Sequence, residues 1–402
     1  MENEQNIKEL LERGVEEIID KSHLFNNLKS GKKLRIKLGI DPTSPHIHLG
    51  RAIQLFKLLD FQKLGHTIVL IVGDFTGVVG DTSDKESERP MLSGETIKKN
   101  FKTYIEQAGK IIDIKKTEIY FNSKWLSKLE YSEIGKQADM FSVGDFIARE
   151  NISIRIKEGK RVSLREVLYP LMQGYDSVKV EADVEIGGTD QRFNLLAGRH
   201  MQRLYNQEPQ DIIMSPLIEG LDGRKMSSSF GNTINIFDAP NEMFGKIMSL
   251  QDKLIIKYFT LLTRCPKEVI NEYEEELKKG INPRDLKIKL AREIIHFFHD
   301  TNPEVFEEAD KAEEYFITLF SKGGIPEDIK TFPVEHGDLF SDIIIVADVL
   351  SSKSEFKRKI DEKAVRFTEE GMKERVIEDY QEKINASGAL RIGKKIIGLK
   401  VK

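Results

Sequence analysis

The hydrophobic positions between residues 34 and 72 change their period twice. Residues 34–40 alternate in polarity and are rich in branched side chains, which predicts a β-strand. From Leu49 to Leu64 the apolar residues recur at helical spacing, and Thr67–Val72 is a continuous apolar run typical of a buried parallel strand. Strand, helix and strand in this order predict a βαβ crossover and therefore a parallel α/β sheet.

A second segment repeats the strand–turn–helix pattern. Val180–Ile186 alternates as a strand, Gly187–Gln191 is a polar turn, and Arg192–Leu204 has helical spacing. A further helix, Leu164–Val178, precedes the strand. In an open α/β sheet such turns lie at the carboxyl edge of the strands, where ligands usually bind.

The remaining pattern is mainly helical. We expect a leading helix over Glu4–Lys21, a helix over Ser93–Gly109, a strand over Thr117–Phe121 and a mostly helical stretch over Ser123–Asn151. Trp125 and Met140 in that last stretch are predicted to be core residues rather than ligand contacts. Beyond Asn232 the helices become highly charged, and glycines with a proline interrupt them near residue 325. The chain therefore divides into residues 1–230, a helical domain over 231–324, a linker over 325–337 and a small module over 338–402.

Composition narrows the class of protein. The chain has 402 residues, of which 39% are hydrophobic and 32% charged, and this length predicts more than one domain. No apolar run approaches the ~20 residues that cross a bilayer, and the polar, acidic start does not predict a secretory signal. A lone cysteine, Cys265, predicts a reducing cytoplasmic location, and no His or Cys cluster predicts a metal held by the protein.

Charge is distributed unevenly along the chain. Residues 351–402 contain 14 Lys and Arg against 9 Asp and Glu, so their net charge is +5 within a chain of net charge −4. A basic helix over Ser352–Ile360, a strand over Ala364–Phe367 and the cationic Arg391–Lys395 predict a polyanion partner for this tail. The alternative is a solvated charged end, because several acidic residues dilute the charge.

The turn between the first strand and its helix holds the first candidate chemistry. His48, Gly50 and Arg51 lie where a strand ends and a helix begins, and an anion finds free N–H groups and a favourable dipole at such a place. A histidine can donate to phosphate oxygens, and Gly50 lets a nucleotide approach the backbone. Alternatively, His48 only caps a surface helix.

A second motif, later in the chain, changes the interpretation of the turn at His48. Gly223–Ser229 is a glycine-led loop with the cation Lys225 and three hydroxyls, which alone would be typical of a solvated turn. Together, the H-L-G and K-M-S-S-S strings resemble the two signature motifs of class I aminoacyl-tRNA synthetases.

One face of the helix Leu164–Val178 carries Tyr169, Gln173 and Asp176. A phenol, an amide and a carboxylate together can hold an ammonium group and a hydroxyl, although a solvated polar stripe has the same pattern. With the G-G-T-D-Q turn that follows, this triplet resembles the tyrosine pocket of bacterial tyrosyl-tRNA synthetases.

The resemblance covers nearly the whole chain and implies a fold. It implies a Rossmann-like parallel-sheet catalytic domain over residues 1–230, followed by an α-helical, anticodon-side domain and a small α+β RNA-binding module. It also implies ATP with Mg²⁺ as a substrate, L-tyrosine and tRNA(Tyr) as the other substrates, and a homodimer.

The resemblance also assigns roles to individual residues. Catalytic roles in binding the ATP phosphates are implied for His48, Lys225, Thr43 and Arg51. Tyrosine contacts are implied for Lys37, Asp81, Tyr169, Gln173, Asp176 and Gln191. ATP contacts are implied for Gly39, Asp41, Gly50, Gly188, Asp190, Met226, Ser227 and Ser228. Lys85 and Arg89 are available for phosphates or tRNA, or belong to a solvated loop.

Three residues depart from the usual family pattern. Arg51 replaces the second histidine of the first signature, Ser228 replaces a lysine of the second, and Lys37 stands where many members have a tyrosine. Two alternatives therefore stay open. One is a tryptophanyl-tRNA synthetase, against which Asp176 argues, and the other is a synthetase-like RNA-binding protein without catalysis.

Overall fold

The structure is a computed structural model that describes residues 2–80, 94–320, 330–369, 372, 374–393 and 395–402. The chain forms two compact units. The first contains the residues up to Asp238 together with Ser249–Leu290, and the second contains Ala239–Met248 together with Ala291–Lys402. Each unit has its own β-sheet, and the candidate site lies in the first.

Both units of the described chain contain α-helices and β-strands. The α-helices are α1 (Glu2–Glu12), α2 (Lys21–Lys29), α3 (Leu49–Lys63), α4 (Thr76–Val79), α5 (Gly94–Ala108), α6 (Ser123–Leu126), α7 (Tyr131–Ala138), α8 (Val143–Ile147), α9 (Glu150–Lys157), α10 (Leu164–Lys179), α11 (Arg192–Leu204), α12 (Pro240–Met248), α13 (Ile255–Leu262), α14 (Lys267–Lys278), α15 (Pro283–His299), α16 (Glu307–Phe320), α17 (Phe340–Val346) and α18 (Lys353–Asp361). The strands are β1 (Glu17–Ile19), β2 (Arg35–Ile40), β3 (Thr67–Val72), β4 (Thr117–Phe121), β5 (Val184–Gly188), β6 (Asp211–Ser215), β7 (Thr331–Val334), β8 (Val365–Glu369), β9 (Arg375–Val376), β10 (Gly388–Ile392) and β11 (Lys395–Val401).

The sheet of the first unit has the strand order β1-β6-β5-β2-β3-β4. β2 to β6 pair in parallel, and β1 lies antiparallel to β6 at one edge. From β2 the chain winds outward through β3 to β4, and from β5 it winds outward in the other direction to β6. The carboxyl ends of β2 and β5 are therefore a topological switch point, the place where open α/β sheets bind ligands.

The second unit contains a mixed sheet with the order β7-β11-β10-β8-β9. β7 pairs in parallel with β11, and the other neighbours are antiparallel. The apolar side chains of α17 and α18, Phe340 and Phe356 among them, form one buried cluster with Phe367 and Leu399 of the sheet. This small α+β arrangement agrees with the fold class predicted for the end of the chain.

Several predicted elements are confirmed. β3, β4 and α11 have the predicted bounds, and β2 and α3 differ from their predictions by one residue at an end. These segments have the clearest hydrophobic period, because β3 is buried along nearly its whole length and α3 buries a broad face.

Other segments differ from their predictions. The leading helix ends at Glu12 rather than Lys21, because Gly14 turns the chain with φ +65° and Glu17–Ile19 then pairs with β6. The strand predicted from Val180 begins only at Val184. Val180 instead packs in a cluster with Val69 and Ile71, so its burial comes from helix–sheet packing.

Two further expectations need correction. The stretch Ser123–Asn151 is divided into short helices, and Met140 within it is exposed rather than part of the core. Within the predicted linker over residues 325–337, Thr331–Val334 is β7, since an edge position beside β11 accommodates even its proline. The other predicted domain boundaries stay predictions.

Candidate active site

A cavity of about 390 Å³ opens at the switch point of the first sheet. It brings together the residues of the H-L-G string, the K-M-S-S-S string and the polar face of α10, which are far apart in sequence. The predicted residues that line it are Gly39, Asp41, Thr43, His48, Gly50, Arg51, Tyr169, Gln173, Asp176, Asp190, Gln191, Lys225, Met226, Ser227 and Ser228. Of the predicted residues that the structure describes, Lys37 and Gly188 are outside this lining. Asp81, Lys85 and Arg89 lie outside the described residues.

The turn after β2 is held in place by α5. Asn100 Nδ2 donates to the carbonyl of Pro42 (2.9 Å), and Gln107 Nε2 donates to the carbonyl of Pro45 (2.7 Å). Gln107 Oε1 also accepts from the backbone N–H of Ile47 (2.8 Å). Two prolines prevent this turn from pairing regularly, so side-chain amides supply its hydrogen bonds.

His48 lies at the N-terminus of α3 as a neutral imidazole. Burial lowers its pKa to about 3, and the positive charges of Arg51 and Lys225 act in the same direction. Among the described residues, no hydrogen-bond partner meets His48 Nδ1. A neutral ring at the amino end of a helix keeps an N–H for an anion without adding a charge that burial would oppose.

One end of the cavity is organised around Asp41. Tyr169 Oη donates to Asp41 Oδ2 (2.8 Å), and Thr76 Oγ1 donates to Asp41 Oδ1 (2.7 Å). Gly73 is required beside them, because a Cβ there would lie 1.8 Å from Asp41 Oδ1. The result is a carboxylate at the cavity wall whose orientation is fixed by two hydroxyl groups, which is a suitable receptor for an ammonium group.

Asp176 also lines the cavity, where it lies buried between two donors. Trp125 Nε1 donates to Oδ1 (2.7 Å) and Asn122 Nδ2 donates to Oδ2 (3.1 Å). Burial raises the pKa of Asp176 to about 7, although the charge of Lys37 and these two hydrogen bonds oppose that rise. Such a carboxyl group can exchange hydrogen bonds with a ligand hydroxyl near neutral pH.

Asn122 and Trp125 were missed as site residues by the sequence analysis. Asn122 follows β4 directly, as Asp41 follows β2, so the strand-end rule could have identified it. Trp125 was assigned to the core, but its indole N–H is the donor to Asp176. A buried indole needs a partner for that N–H, which is a signal in itself.

The side chain and the backbone of Gln173 are hydrogen-bonded to Glu185 and Lys37, which do not line the cavity. Its Nε2 donates to Glu185 Oε1 (3.0 Å), and its backbone carbonyl accepts from Lys37 Nζ (3.0 Å). Lys37 is fully buried and forms an ion pair with Glu185 (2.9 Å). Its position behind the wall fits a supporting role rather than the direct tyrosine contact that was predicted.

The loop with the second signature closes the other end of the cavity. Lys225 Nζ pairs with Asp190 Oδ2 (2.6 Å), and Met226 Sδ accepts from the backbone N–H of Gly50 (3.3 Å). Asn232 fixes the loop, because its Oδ1 accepts from Ser227 N and its Nδ2 donates to the carbonyl of Lys225. The two signature strings are thus in direct contact.

The turn after β5 positions Asp190 and Gln191. Thr189–Gln191 is a single 3₁₀ turn, and it places both side chains at the cavity. Gly188 contributes by its small size, since a Cβ there would lie 2.4 Å from Asp190 Oδ1. Gly188 therefore leaves room for the Asp190 side chain, which pairs with Lys225.

Comparison with known proteins identifies the family. The family model described as tRNA synthetases class I (W and Y) matches residues 29–321. The chain is 45% identical over 399 residues to the tyrosine–tRNA ligase of Thermotoga maritima, covering 98% of this chain and 97% of that one. It is 46% identical over 374 residues to the tyrosine–tRNA ligase of Carboxydothermus hydrogenoformans, covering 90% of each chain.

Solved structures share the fold at lower identity. A C-terminally truncated mitochondrial tyrosyl-tRNA synthetase of Aspergillus nidulans superposes with a TM-score of 0.65 at 21% identity, over 79% of this chain and 98% of that one. The tyrosyl-tRNA synthetase of Archaeoglobus fulgidus, solved with L-tyrosine, gives a TM-score of 0.61 at 23% identity, over 77% and 99%.

The chain therefore belongs to the class I tRNA synthetases, in the family of the tryptophanyl and tyrosyl enzymes. The two relatives at 45% and 46% identity, which are matched over 97% and 90% of their length, are tyrosine–tRNA ligases. Within the family it belongs with the tyrosine–tRNA ligases, and the tryptophanyl alternative is not favoured.

The described residues contain no group of three or more His, Cys, Asp and Glu side chains arranged to hold a metal ion. None of the helices in the described ranges is both long and apolar enough to cross a membrane.

Proposed function

We propose that this member of the tyrosine–tRNA ligases activates L-tyrosine with ATP in the cavity at the switch point. The tyrosine carboxylate attacks the α-phosphorus of ATP, the bond to the β,γ-diphosphate breaks, and pyrophosphate leaves. A hydroxyl of the 3′-terminal ribose of tRNA(Tyr) then attacks the acyl carbon of tyrosyl-adenylate, and AMP leaves. The observation that carries this proposal is the meeting of both signature strings with Tyr169, Gln173 and Asp176 around one cavity.

The tyrosine substrate is proposed to lie along α10. Asp176 exchanges a hydrogen bond with the phenolic hydroxyl, and Tyr169 and Gln173 hold the α-ammonium group at the end where Asp41 lies. Asp81 is assigned to the same ammonium group by the family resemblance alone. The support is that two carboxyl groups, Asp176 and Asp41, line the same cavity together with Tyr169 and Gln173.

ATP is proposed to bind between the two signature strings. His48, Thr43, Arg51 and Lys225 meet the phosphates, while Gly188, Asp190 and Gln191 form the turn beside the ribose and the reacting carboxylate. The tyrosine carboxylate is already ionised at neutral pH, so the reaction needs no general base. Catalysis then comes from positioning and from charge that stabilises the departing pyrophosphate.

Mg²⁺ is proposed to enter as part of the ATP substrate. Mg²⁺ that serves nucleotide chemistry is usually held by substrate phosphates, waters and one or two carboxylates. The donor set around the cavity fits this arrangement, because the described residues offer single carboxylates there, such as Asp41 and Asp190, and no three-ligand cluster.

A homodimer is part of the proposal. Helices α7 to α9 and the start of α10 expose apolar side chains, and within this set α7 contacts α10 and α8 contacts α9. Together with Met140, which lies between α7 and α8, these side chains form what we call the apolar helix surface: Tyr131, Met140, Val143, Ile147, Ile154, Ile156 and Leu164. Apolar exposure of this extent is typical of a surface that another chain covers.

The terminal module is proposed to bind tRNA(Tyr), and the enzyme to act in the cytoplasm, as the lone cysteine predicts. Many cations of the module are neutralised, because Glu374 pairs with both Arg366 and Arg391, and Glu362 with Lys359. Lys357 is exposed and lies over the ring of Tyr380 (5.3 Å). A cation beside an exposed aromatic ring suits a phosphate and an unstacked base.

ATP–pyrophosphate exchange tests the activity directly. The chain should exchange pyrophosphate in the presence of tyrosine and much more slowly with tryptophan, phenylalanine or any other amino acid. Exchange with tryptophan instead would favour the other branch of the family. Absence of exchange with every amino acid would mean an RNA-binding protein without catalysis.

A further inference from the structure

A buried ion pair joins the two strands of the switch point. Lys37 of β2 and Glu185 of β5 are register partners, and both side chains are fully buried. Lys37 Nζ lies 2.9 Å from Glu185 Oε1. Burying two charges is costly, and a well-packed apolar pair of similar volume is often as stable or more so. Stability alone therefore does not account for this pair.

Among the described residues, the side-chain hydrogen bonds of the pair go to Gln173 and Ser177 of α10 and to Gln210, which precedes β6. Lys37 Nζ donates to the carbonyl of Gln173 (3.0 Å) and to Ser177 Oγ (2.7 Å). Glu185 Oε1 accepts from Gln173 Nε2 (3.0 Å), and Glu185 Oε2 accepts from both Ser177 Oγ (3.2 Å) and Gln210 Nε2. The pair thus fixes both the backbone and the side chain of a residue that lines the cavity.

The same pair acts on Asp176 through its charge. The groups that face Asp176 are Lys37 from β2, Glu185 from β5, and the donors Asn122 and Trp125 beyond β4. The charge of Lys37 is the largest influence that opposes the rise in the pKa of Asp176, and Glu185 acts in the other direction more weakly. Lys37 therefore favours the ionised carboxylate.

We propose that Lys37 is a positioning residue for tyrosine recognition, which acts on substrate through Asp176 and Gln173 without touching it. The ammonium group favours the ionised form of Asp176, the acceptor for the phenolic hydroxyl, and it holds Glu185 where that carboxylate orients the Gln173 amide. This inference rests on the proposed tyrosine activation and adds a residue whose charge tunes tyrosine specificity.

A double substitution, Lys37→Met with Glu185→Gln, tests this role. It removes both buried charges, so no uncompensated charge opposes folding, and the new amide still accepts from Gln173. At pH 7 the KM for tyrosine in pyrophosphate exchange should rise about tenfold while kcat changes less than threefold. The KM should recover toward pH 8.5, because Asp176 then ionises without help, and preference for tyrosine over phenylalanine should fall at pH 7.

Matched variants make the outcomes decisive. Lys37→Gln with Glu185→Gln offers a second neutral pair should the first fail to fold. Lys57→Met removes another buried lysine, one that donates to the carbonyl of Leu10 away from the cavity, and should leave the KM and its pH profile unchanged. A folded neutral pair with the wild-type KM and pH profile would overturn the role of Lys37. Wild-type enzyme without tyrosine-dependent exchange would instead overturn the proposed function.

Discussion

A buried carboxyl group favours ligands that offer it a hydroxyl, because a ligand without one leaves part of its hydrogen-bonding capacity unsatisfied. Asp176 already has donors on both oxygens, from Asn122 and Trp125, and its remaining lone pairs face the cavity. A ligand without a hydroxyl leaves that acceptor capacity unsatisfied in a desolvated place, which costs free energy of about 1–3 kcal/mol or more for a charged group. Tyrosyl-tRNA synthetases are themselves the standard example of this rule.

Replacing Asp176 with asparagine should remove both the affinity and its pH dependence. The wild-type pKa of about 7 means that the ionised fraction grows as pH rises through neutrality. If tyrosine prefers the ionised form, the affinity of the wild-type chain for tyrosine without ATP should rise about tenfold from pH 6 to pH 8. The affinity of Asp176→Asn for tyrosine should be low and should not change with pH. Titration calorimetry with tyrosine at several pH values measures this.

Titration of His48 does not complicate the interpretation of that pH profile. Its pKa of about 3 leaves it uncharged throughout pH 6–8, so it contributes no pH dependence in this range. A wild-type profile that is flat across neutrality would contradict the role assigned to Asp176.

At the scale of single residues, the sequence predicted which side chains belong to the site better than it predicted which residues they contact. Motif spacing placed Tyr169, Gln173 and Asp176 on one helix face, and the structure brings all three to the cavity. Lys37 was expected to contact substrate, but its carboxylate partner Glu185 is 148 positions away, and nothing local in the sequence indicates this pairing. Contacts across strands depend on register, which local patterns do not encode.

At the scale of elements, the loop around Lys225 must change partners for the proposed reaction. Lys225 pairs with Asp190 at 2.6 Å, and the reaction needs its charge on the phosphates. The loop lies between Gly223 and Gly231, both at positive φ, so its ends tolerate a change of path. In the proposed reaction Lys225 leaves Asp190 and contacts the phosphates, and its charge stabilises them most as pyrophosphate departs.

Lys225→Ala should therefore slow adenylate formation with little change in tyrosine affinity. Loss of one electrostatic contact in a transition state typically costs about 3 kcal/mol, which is roughly a hundredfold in rate. Rapid-quench measurement of tyrosyl-adenylate, together with equilibrium binding of tyrosine, separates the two effects. Arg224→Ala is the matched control, because its side chain pairs with Asp222 and does not line the cavity. Equal losses of rate and of tyrosine affinity would contradict the assignment.

The predictability of each element follows from its hydrophobic period. β3 and α3 were predicted well because burial gives them a strong periodic signal. β6 was not predicted, although all five of its residues are buried, because the polar residues at both of its ends shorten the apolar signal. β1 has three residues, and only its pairing with β6 makes it a strand.

At the scale of the whole molecule, the apolar helix surface should control the oligomeric state. Val143 of that surface is 75% exposed, so Val143→Asp removes little packing within the chain. A charge placed in a buried interface should weaken a dimer at least tenfold. Val346→Asp is the matched control, since this valine of the second unit is 77% exposed. Sedimentation equilibrium measures both, and a dimer unaffected by Val143→Asp would place the interface elsewhere.

The tRNA binding proposed for the terminal module is tested better by substitution than by truncation. Removing the module would uncover Tyr315 of α16, which packs against Ala389 and Ile396 of the sheet. Lys357 and Tyr380 are exposed and are not members of the buried cluster of the module. Their replacement therefore reports on binding rather than on folding.

Lys357→Ala should weaken tRNA(Tyr) binding and flatten its salt dependence, while tyrosine-dependent pyrophosphate exchange stays unchanged. Each lost phosphate contact lowers the log–log slope against salt by about 0.7–0.9, because fewer counterions are released on binding. Tyr380→Ala should weaken binding by a similar factor but leave the slope unaltered, since stacking on a base releases no counterion. Lys311→Ala, an exposed lysine of α16 already paired with Glu307 and Glu308, is the control and should change neither quantity. Filter binding at several salt concentrations gives both slope and affinity. A slope unchanged by Lys357→Ala would remove this lysine from the tRNA surface, and lost exchange would show instead that the module supports the catalytic unit.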